Sequence, residues 1–281
     1  MSGMGVEEFT VAANGVRLNV ATAGTGPAVV LLHGFPHTWR IWSAVIPDLA
    51  DRHRVIAPDL RGLGASERAD SGYDAATLAD DVLALLDGVG ESRASVVALD
   101  AGVPPAFLLA ARHPQRITRL VLMEALIGVL PGAEDFLAGG PPWWFGFHAV
   151  PGLAESVLAG NERAYIDFFL RQGTADGAGP PPPIREAILD AYADTESLRC
   201  AFEYYRAGTR NAADIADAAR SRLTVPTMTI GAGVVGEATH RQLRPITDDL
   251  VGHVIADSGH IVPVDAPGEL LESIGPFLTG G

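Results

Sequence analysis

The strongest constraint on how this chain can fold is an alternation of short, largely apolar runs with segments of helical spacing. The runs are Ala28–Leu32, Val55–Pro58, Ala94–Leu99, Leu120–Met123, Thr227–Ile230 and His253–Ala256. Continuous apolar runs of this length suit strands covered on both faces, because neither face meets water. Helical patterns lie between several of them, notably Ala75–Leu86 and Pro105–Arg112. Strand–helix alternation requires crossover connections, so the expected class is α/β: a mainly parallel central sheet with helices on both faces. A hairpin precedes it, Glu8–Ala13 and Arg17–Ala21 joined by Asn14-Gly15, a pair suited to a turn with positive φ.

The alternation breaks between about Ile127 and Ala213. This stretch holds the aromatic cluster Pro141-Pro-Trp-Trp-Phe-Gly-Phe-His148 and the run Gly179-Pro-Pro-Pro-Pro183, the latter expected to be an exposed loop. Helical segments surround them at Leu153–Gly160, Glu162–Arg171, Ile184–Ala193 and Leu198–Ala207. The expected organisation is a core in two parts, residues 1–126 and 214–281, with residues 127–213 inserted as a helical cap.

A chain of 281 residues that is 48% hydrophobic can bury a large core. Its net charge of −14 repels nucleic acid and anionic membranes, so neither is an expected partner. Cys200 is the only cysteine, which rules out an intrachain disulfide and a cysteine metal cluster; no metal or cofactor is expected. The opening MSGMGVEEFT has no basic segment followed by an apolar run, and no stretch approaches the ~18 apolar residues of a membrane span. The expectation is a soluble cytoplasmic protein with a small hydrophobic molecule as partner. The oligomeric state, a homodimer included, stays open.

Chemistry concentrates at strand ends. Ala94–Leu99 runs straight into Ala98-Leu99-Asp100-Ala101-Gly102 and then a helix, the pattern small–x–Asp–x–small. A strand turning sharply into a helix strains the residue at its apex and needs small neighbours for close backbone approach. The apex side chain then stands at the carboxyl edge of the sheet, where open α/β sheets bind ligands. On this segment alone a helix-capping Asp is an equal reading. His260, in Asp257-Ser-Gly-His260, follows the last strand and precedes a final helix, Pro267–Phe277. The turn His33-Gly34-Phe35-Pro36 follows Ala28–Leu32, where the Phe35 N–H can join that of Ala101 as an oxyanion hole.

Taken together, His33-Gly-Phe-Pro36, Asp59-Leu-Arg-Gly-Leu-Gly-Ala-Ser66, the Asp100 elbow and terminal Gly259-His260 resemble the epoxide hydrolase and haloalkane dehalogenase branch of the α/β-hydrolases. The order of nucleophile first and histidine last is also theirs. The resemblance covers essentially the whole chain and implies an α/β-hydrolase fold with an Asp nucleophile. It also implies a two-step reaction: Asp100 attacks an sp3 carbon to form an ester, and water activated by His260 hydrolyses it. His33, Asp59 and Arg61 are structural on this reading.

An acid must hold the imidazole in the correct tautomer. Its commoner place is after Thr227–Ile230, but Gly231-Ala-Gly-Val-Val-Gly236 contains no carboxylate. Some members of the branch carry the acid after the preceding core strand, where Leu122-Met-Glu-Ala125 places Glu124. Glu124 is therefore preferred to Glu237.

Opening an epoxide creates an alkoxide, so the cap must supply donors. By resemblance, Tyr205 in Phe202-Glu-Tyr-Tyr-Arg-Ala207 is one, with Tyr204 beside the substrate, and the other position falls in Trp143-Trp144-Phe145. Relatives have His or Tyr near Trp144; an indole can donate a hydrogen bond there but cannot supply a proton. Tyr205 as packed core and the tryptophans as mere wall are competing readings. Trp143, Phe145 and Phe147 are the expected apolar wall, with His148 an alternative donor, pointing to an aromatic or polycyclic epoxide such as those of secondary metabolism. The branch's dehalogenases usually carry Trp after the nucleophile, where this chain has Ala101. A haloalkane or haloacid dehalogenase is the second reading, and a non-hydrolytic ligand-binding protein the third.

Overall fold

The computed structural model describes residues 5–280; Met1–Met4, within the segment expected to lack a leader, and Gly281 lie outside the described residues. Eight strands make one sheet: β1 (Glu7–Ala13), β2 (Val16–Ala23), β3 (Ala28–Leu32), β4 (Arg54–Pro58), β5 (Ala94–Leu99), β6 (Ile117–Met123), β7 (Thr227–Gly231) and β8 (Leu250–Val254). Their order is β1-β2-β4-β3-β5-β6-β7-β8, antiparallel through β1, β2 and β4 and parallel from β4 onward. The hairpin turns at Asn14 and Gly15 with φ of 46° and 80°. Every residue of β3, β5 and β7 is buried, as their apolar runs require. The last strand differs from expectation. It begins three residues earlier than His253 and is largely exposed, because it is a sheet edge paired only with β7.

Helix α1 (Ile46–Ala50) follows β3, α2 (Ala75–Gly88) follows β4, and α3 (Val103–Arg112) follows β5. Asp74 caps α2 by accepting from the Thr77 N–H at 3.1 Å, and Leu78, Val82, Leu85 and Leu86 form its buried stripe. Seven described helices lie between β6 and β7: α4 (Glu134–Leu137), α5 (Trp143–Ala149), α6 (Leu153–Leu158), α7 (Glu162–Gln172), α8 (Pro182–Ala191), α9 (Thr195–Arg206) and α10 (Gly208–Ala218). The aromatic cluster is thus itself a helix, started by Pro141-Pro142. The proline run is only partly loop, since Pro182 and Pro183 form the first turn of α8, where a missing N–H costs little. Helix α10 crosses the expected boundary at 213/214 and packs on α3 and α2 of the core. Helices α11 (Ala238–Leu243), α12 (Val262–Asp265) and α13 (Pro267–Thr279) complete the chain. No described helix is long and apolar enough to cross a membrane.

Candidate active site

Asp100 sits at the apex between β5 and α3 with φ of 52°, a left-handed conformation that costs a non-glycine residue energy. The elbow is pressed against the turn after β3. A Cβ on Gly34 would collide with the Asp100 carboxylate, and one on Gly102 would stand 2.7 Å from the His33 carbonyl oxygen. That crowding brings the Phe35 N–H to 2.8 Å from Asp100 Oδ1 and sets the N–H of Ala101 close to Gly34. His33 holds the turn from beneath. Its Nε2 accepts from the Leu60 N–H at 3.1 Å, which fixes Nδ1 as the donor to the Gly34 carbonyl at 2.9 Å. Asp59 accepts from the backbone of Trp39 and Ala65, and Arg61 pairs with buried Asp81 at 2.6 Å, so these motif residues brace loops.

His260, in the loop between β8 and α12, faces two carboxylates. Its Nε2 is 3.3 Å from Asp100 Oδ2 and its Nδ1 is 3.4 Å from Glu124 Oε2. Glu124 follows β6 with φ of 50° and is 1% exposed. The loop after β7 contributes backbone donors instead of an acid. The Ala232 N–H reaches Glu124 Oε1 at 2.6 Å, and the Val235 N–H lies 3.2 and 3.1 Å from Oε1 and Oε2. Gly231 and Gly236 approach so closely that a Cβ at Gly231 would collide with the Gly236 backbone. Glu237 is exposed at the start of α11, 3.8 Å from Arg241.

These contacts set the charges. Burial alone would lower His260, but its hydrogen bonds and proximity to Asp100 and Glu124 raise it to about 10. Burial pushes Asp100 up, yet the His260 bond and charge outweigh it and leave the carboxyl below its ordinary range. The resting pair is therefore carboxylate and imidazolium. Next to them lies His37, which sequence reasoning passed over although it directly follows the His-Gly-Phe-Pro turn. Its ring is 6.2 Å from that of His260, and burial depresses it to about 3. It lines the cavity as a neutral imidazole, and its buried Nδ1 has no partner among the described residues.

Above Asp100 is a cavity of about 450 Å³, of the size that small-molecule sites occupy. Trp144, Phe145, Tyr204 and Tyr205 line it. The Tyr204 hydroxyl is committed, donating to the Arg61 carbonyl at 2.8 Å. Tyr205 keeps its proton: burial and the Asp100 charge raise it well above the ordinary phenol value, opposed by the nearby Trp144 indole. Trp143, Phe147 and His148 do not line the cavity. Trp143 is 56% exposed, and Phe147, one helical turn on, is half-buried between Trp143 and Tyr165, outside the cavity. His148 is fully buried behind the wall, stacked on Phe202 at 4.1 Å with Nε2 2.6 Å from the Tyr165 hydroxyl. No Lys or Arg is among the described lining residues.

Residues 27–168 match the family model described as alpha/beta hydrolase fold. The chain is 29% identical to the soluble epoxide hydrolase of Corynebacterium sp. (strain C12), over 95% of both proteins. It is 30% identical to epoxide hydrolase A of Mycobacterium tuberculosis (strain ATCC 25618 / H37Rv), over 97% of both. The solved structure of Cfl2 from Burkholderia cenocepacia superposes with a TM-score of 0.88 at 31% identity, covering 98% of this chain and 96% of that one. Fold, family match and full-length relatives agree: this chain is a hydrolase of the α/β-hydrolase family, in its epoxide hydrolase branch.

Proposed function

We propose that the enzyme opens an uncharged, hydrophobic epoxide to a diol through an ester on Asp100. The observation that carries this reading is one cavity lined by a half-buried carboxylate paired with a histidine and by two side chains able to donate hydrogen bonds, Tyr205 and Trp144. An Asp100 oxygen attacks a ring carbon, the epoxide C–O bond breaks, and the departing oxygen takes its electron pair together with a proton from Tyr205. Trp144 can stabilise that oxygen but has no proton to give. Ester formation also removes the negative charge of Asp100. His260 then loses one of the two charges that hold it protonated; its proton passes through solvent to the Tyr205 phenolate, which is restored to a phenol, and His260 becomes the base for the second step.

In that step water adds to the Asp100 carbonyl carbon and gives a proton to His260, and the N–H groups of Phe35 and Ala101 stabilise the oxyanion. The bond between this carbon and the ester oxygen then breaks, the departing alkoxide takes the proton from His260, and the diol leaves with one oxygen that originated in Asp100. The helices between β6 and β7 serve as the cap over this chemistry. A carboxylate-bearing haloacid would enter beside Asp100 with no lining Lys or Arg to compensate its desolvation and with the His260 imidazolium already shared by Asp100 and Glu124, which weighs against the haloacid reading.

Single turnover in oxygen-labelled water tests the route. The first diol is expected to carry unlabelled oxygen from Asp100; label in that diol would overturn the ester, and halide release without diol would favour a dehalogenase. The donors are tested separately. Tyr205→Phe keeps the ring and removes the hydroxyl, and should cost about 2.7–4 kcal/mol in ester formation, as removal of an oxyanion donor does. Trp144→Phe should slow the same step, whereas Trp143→Phe, making the same size change outside the cavity, should not. Wild-type ester formation in Tyr205→Phe would remove the phenol from the mechanism.

A further inference from the structure

We infer that Asp265 is a positioning residue that latches the His260 loop to the cap, so that the hydrolytic base is aligned only against a docked cap. Asp265 closes α12, and a single oxygen, Oδ2, accepts two backbone N–H groups: Gly259 at 2.7 Å and Ala175 at 2.9 Å. Gly259 immediately precedes His260, whereas Ala175 lies just beyond α7, in the cap. On the other side of the histidine, the Ile261 N–H donates to the Gly173 carbonyl at 2.9 Å. Both peptide N–H groups flanking His260 therefore end on the same short cap segment, one directly and one through a shared carboxylate oxygen.

The contact is close as well as bonded. A Cβ on Gly259 would stand 2.6 Å from the Gly173 carbonyl oxygen and 2.7 Å from the Ala175 nitrogen. A Cβ on Gly173 would stand 2.8 Å from the Ile261 side chain. Gly173 is also a wall of the substrate cavity, whereas Asp265 is not and touches neither Asp100 nor Glu124. Asp265 thus acts through the loop.

The need for such a latch follows from the geometry of the base. His260 stands 3.3 and 3.4 Å from its two carboxylates, long for charge-assisted bonds, so these contacts alone hold the ring loosely. Displacements of about 1 Å can cost on the order of 100-fold in rate when a reacting group is misplaced. Asp100 is fixed by its own elbow and by Phe35, and the donors Tyr205 and Trp144 stand on α9 and α5, away from the latched segment, so ester formation depends on the latch far less than ester hydrolysis, which needs His260 aligned.

The kinetic arm of the test rests on the ester route proposed above. Ester formation and ester hydrolysis are followed in single turnover by intact-protein mass, beside amide hydrogen exchange resolved to Gly259, Ile261 and Ala175. Asp265→Ala should slow hydrolysis by about 100-fold while formation stays within about threefold. Asp265→Asn, whose amide oxygen can accept the same two N–H groups, should restore hydrolysis. In Asp265→Ala the Gly259 and Ala175 amides should lose protection together. Should Asp265→Ala fail to fold, Gly259→Ala, which wedges the loop from the cap with the carboxylate intact, should reproduce both the slow hydrolysis and the loss of protection. Equal slowing of both steps, an Asn variant as impaired as Ala, or unchanged protection at Ala175 overturns the latch. A wild-type enzyme that forms no ester overturns the proposed function instead; the exchange pattern then decides the latch alone, concerted loss supporting it and unchanged protection refuting it.

Discussion

His260→Gln should convert the enzyme into one that accumulates its own ester, visible as a mass increase equal to that of the substrate. Gln occupies similar space but cannot take a proton from water, and loss of a general base costs about 10²–10⁴-fold. Asp100 keeps its elbow and the Phe35 N–H, so the first step survives. Its pH dependence should change in a defined direction. In the wild type the imidazolium overcomes the burial that would raise Asp100. Without His260 that burial is opposed only by weaker contacts, so the carboxylate takes a proton at a higher pH. Ester formation in the variant should therefore begin to fall, as pH is lowered, while the wild type is still fully active. Normal multiple turnover in His260→Gln, or no shift in the alkylation profile, would remove His260 from these roles.

Glu124→Gln should be nearly as damaging, for a reason that lies in the backbone around it. The N–H of Ala232 points at Oε1 from 2.6 Å and can only donate, so the replacement amide must present its oxygen there. Its NH2 group is then forced toward His260 Nδ1, in the place of Oε2. Nδ1 must become the acceptor, and the proton moves to Nε2, the nitrogen that should receive one from water. The equivalent change in Ser-His-Asp enzymes lowers turnover about 10⁴-fold through the same wrong tautomer. Ester hydrolysis should show the loss, and Glu237→Gln should leave it unchanged. The reverse ranking would transfer the orienting role to Glu237.

Much of this was legible in the chain because buried strands advertise themselves. β3 and β5 are covered on both faces, so their apolar runs mark their ends to the residue, and the strand end locates Asp100. β8 has no such signature, since an edge strand leaves most of its residues in water, and its register slipped accordingly. In α5 the residue types were evident but not their directions. Adjacent positions on a helix diverge by about 100°, so Trp143 and Trp144 cannot do the same work. His148 was hidden for the opposite reason: a buried imidazole bonded to Tyr165 looks, in sequence, like one facing a ligand. The donors of Ala232 and Val235 left no trace at all, because backbone groups belong to every residue and only the fold chooses which ones converge.

The apolar wall has a consequence for release. An epoxide brings one oxygen into the cavity, and the diol that leaves has two hydroxyls needing partners. Phe35, Leu126, Phe136, Phe145 and Phe169 offer no side-chain hydrogen bonds to either molecule. The apolar part of the lining thus behaves as an extraction solvent that favours substrate over product, since the added oxygen is desolvated only while it stays inside. Hydration of the added hydroxyl draws the diol outward, against the few polar groups of the lining.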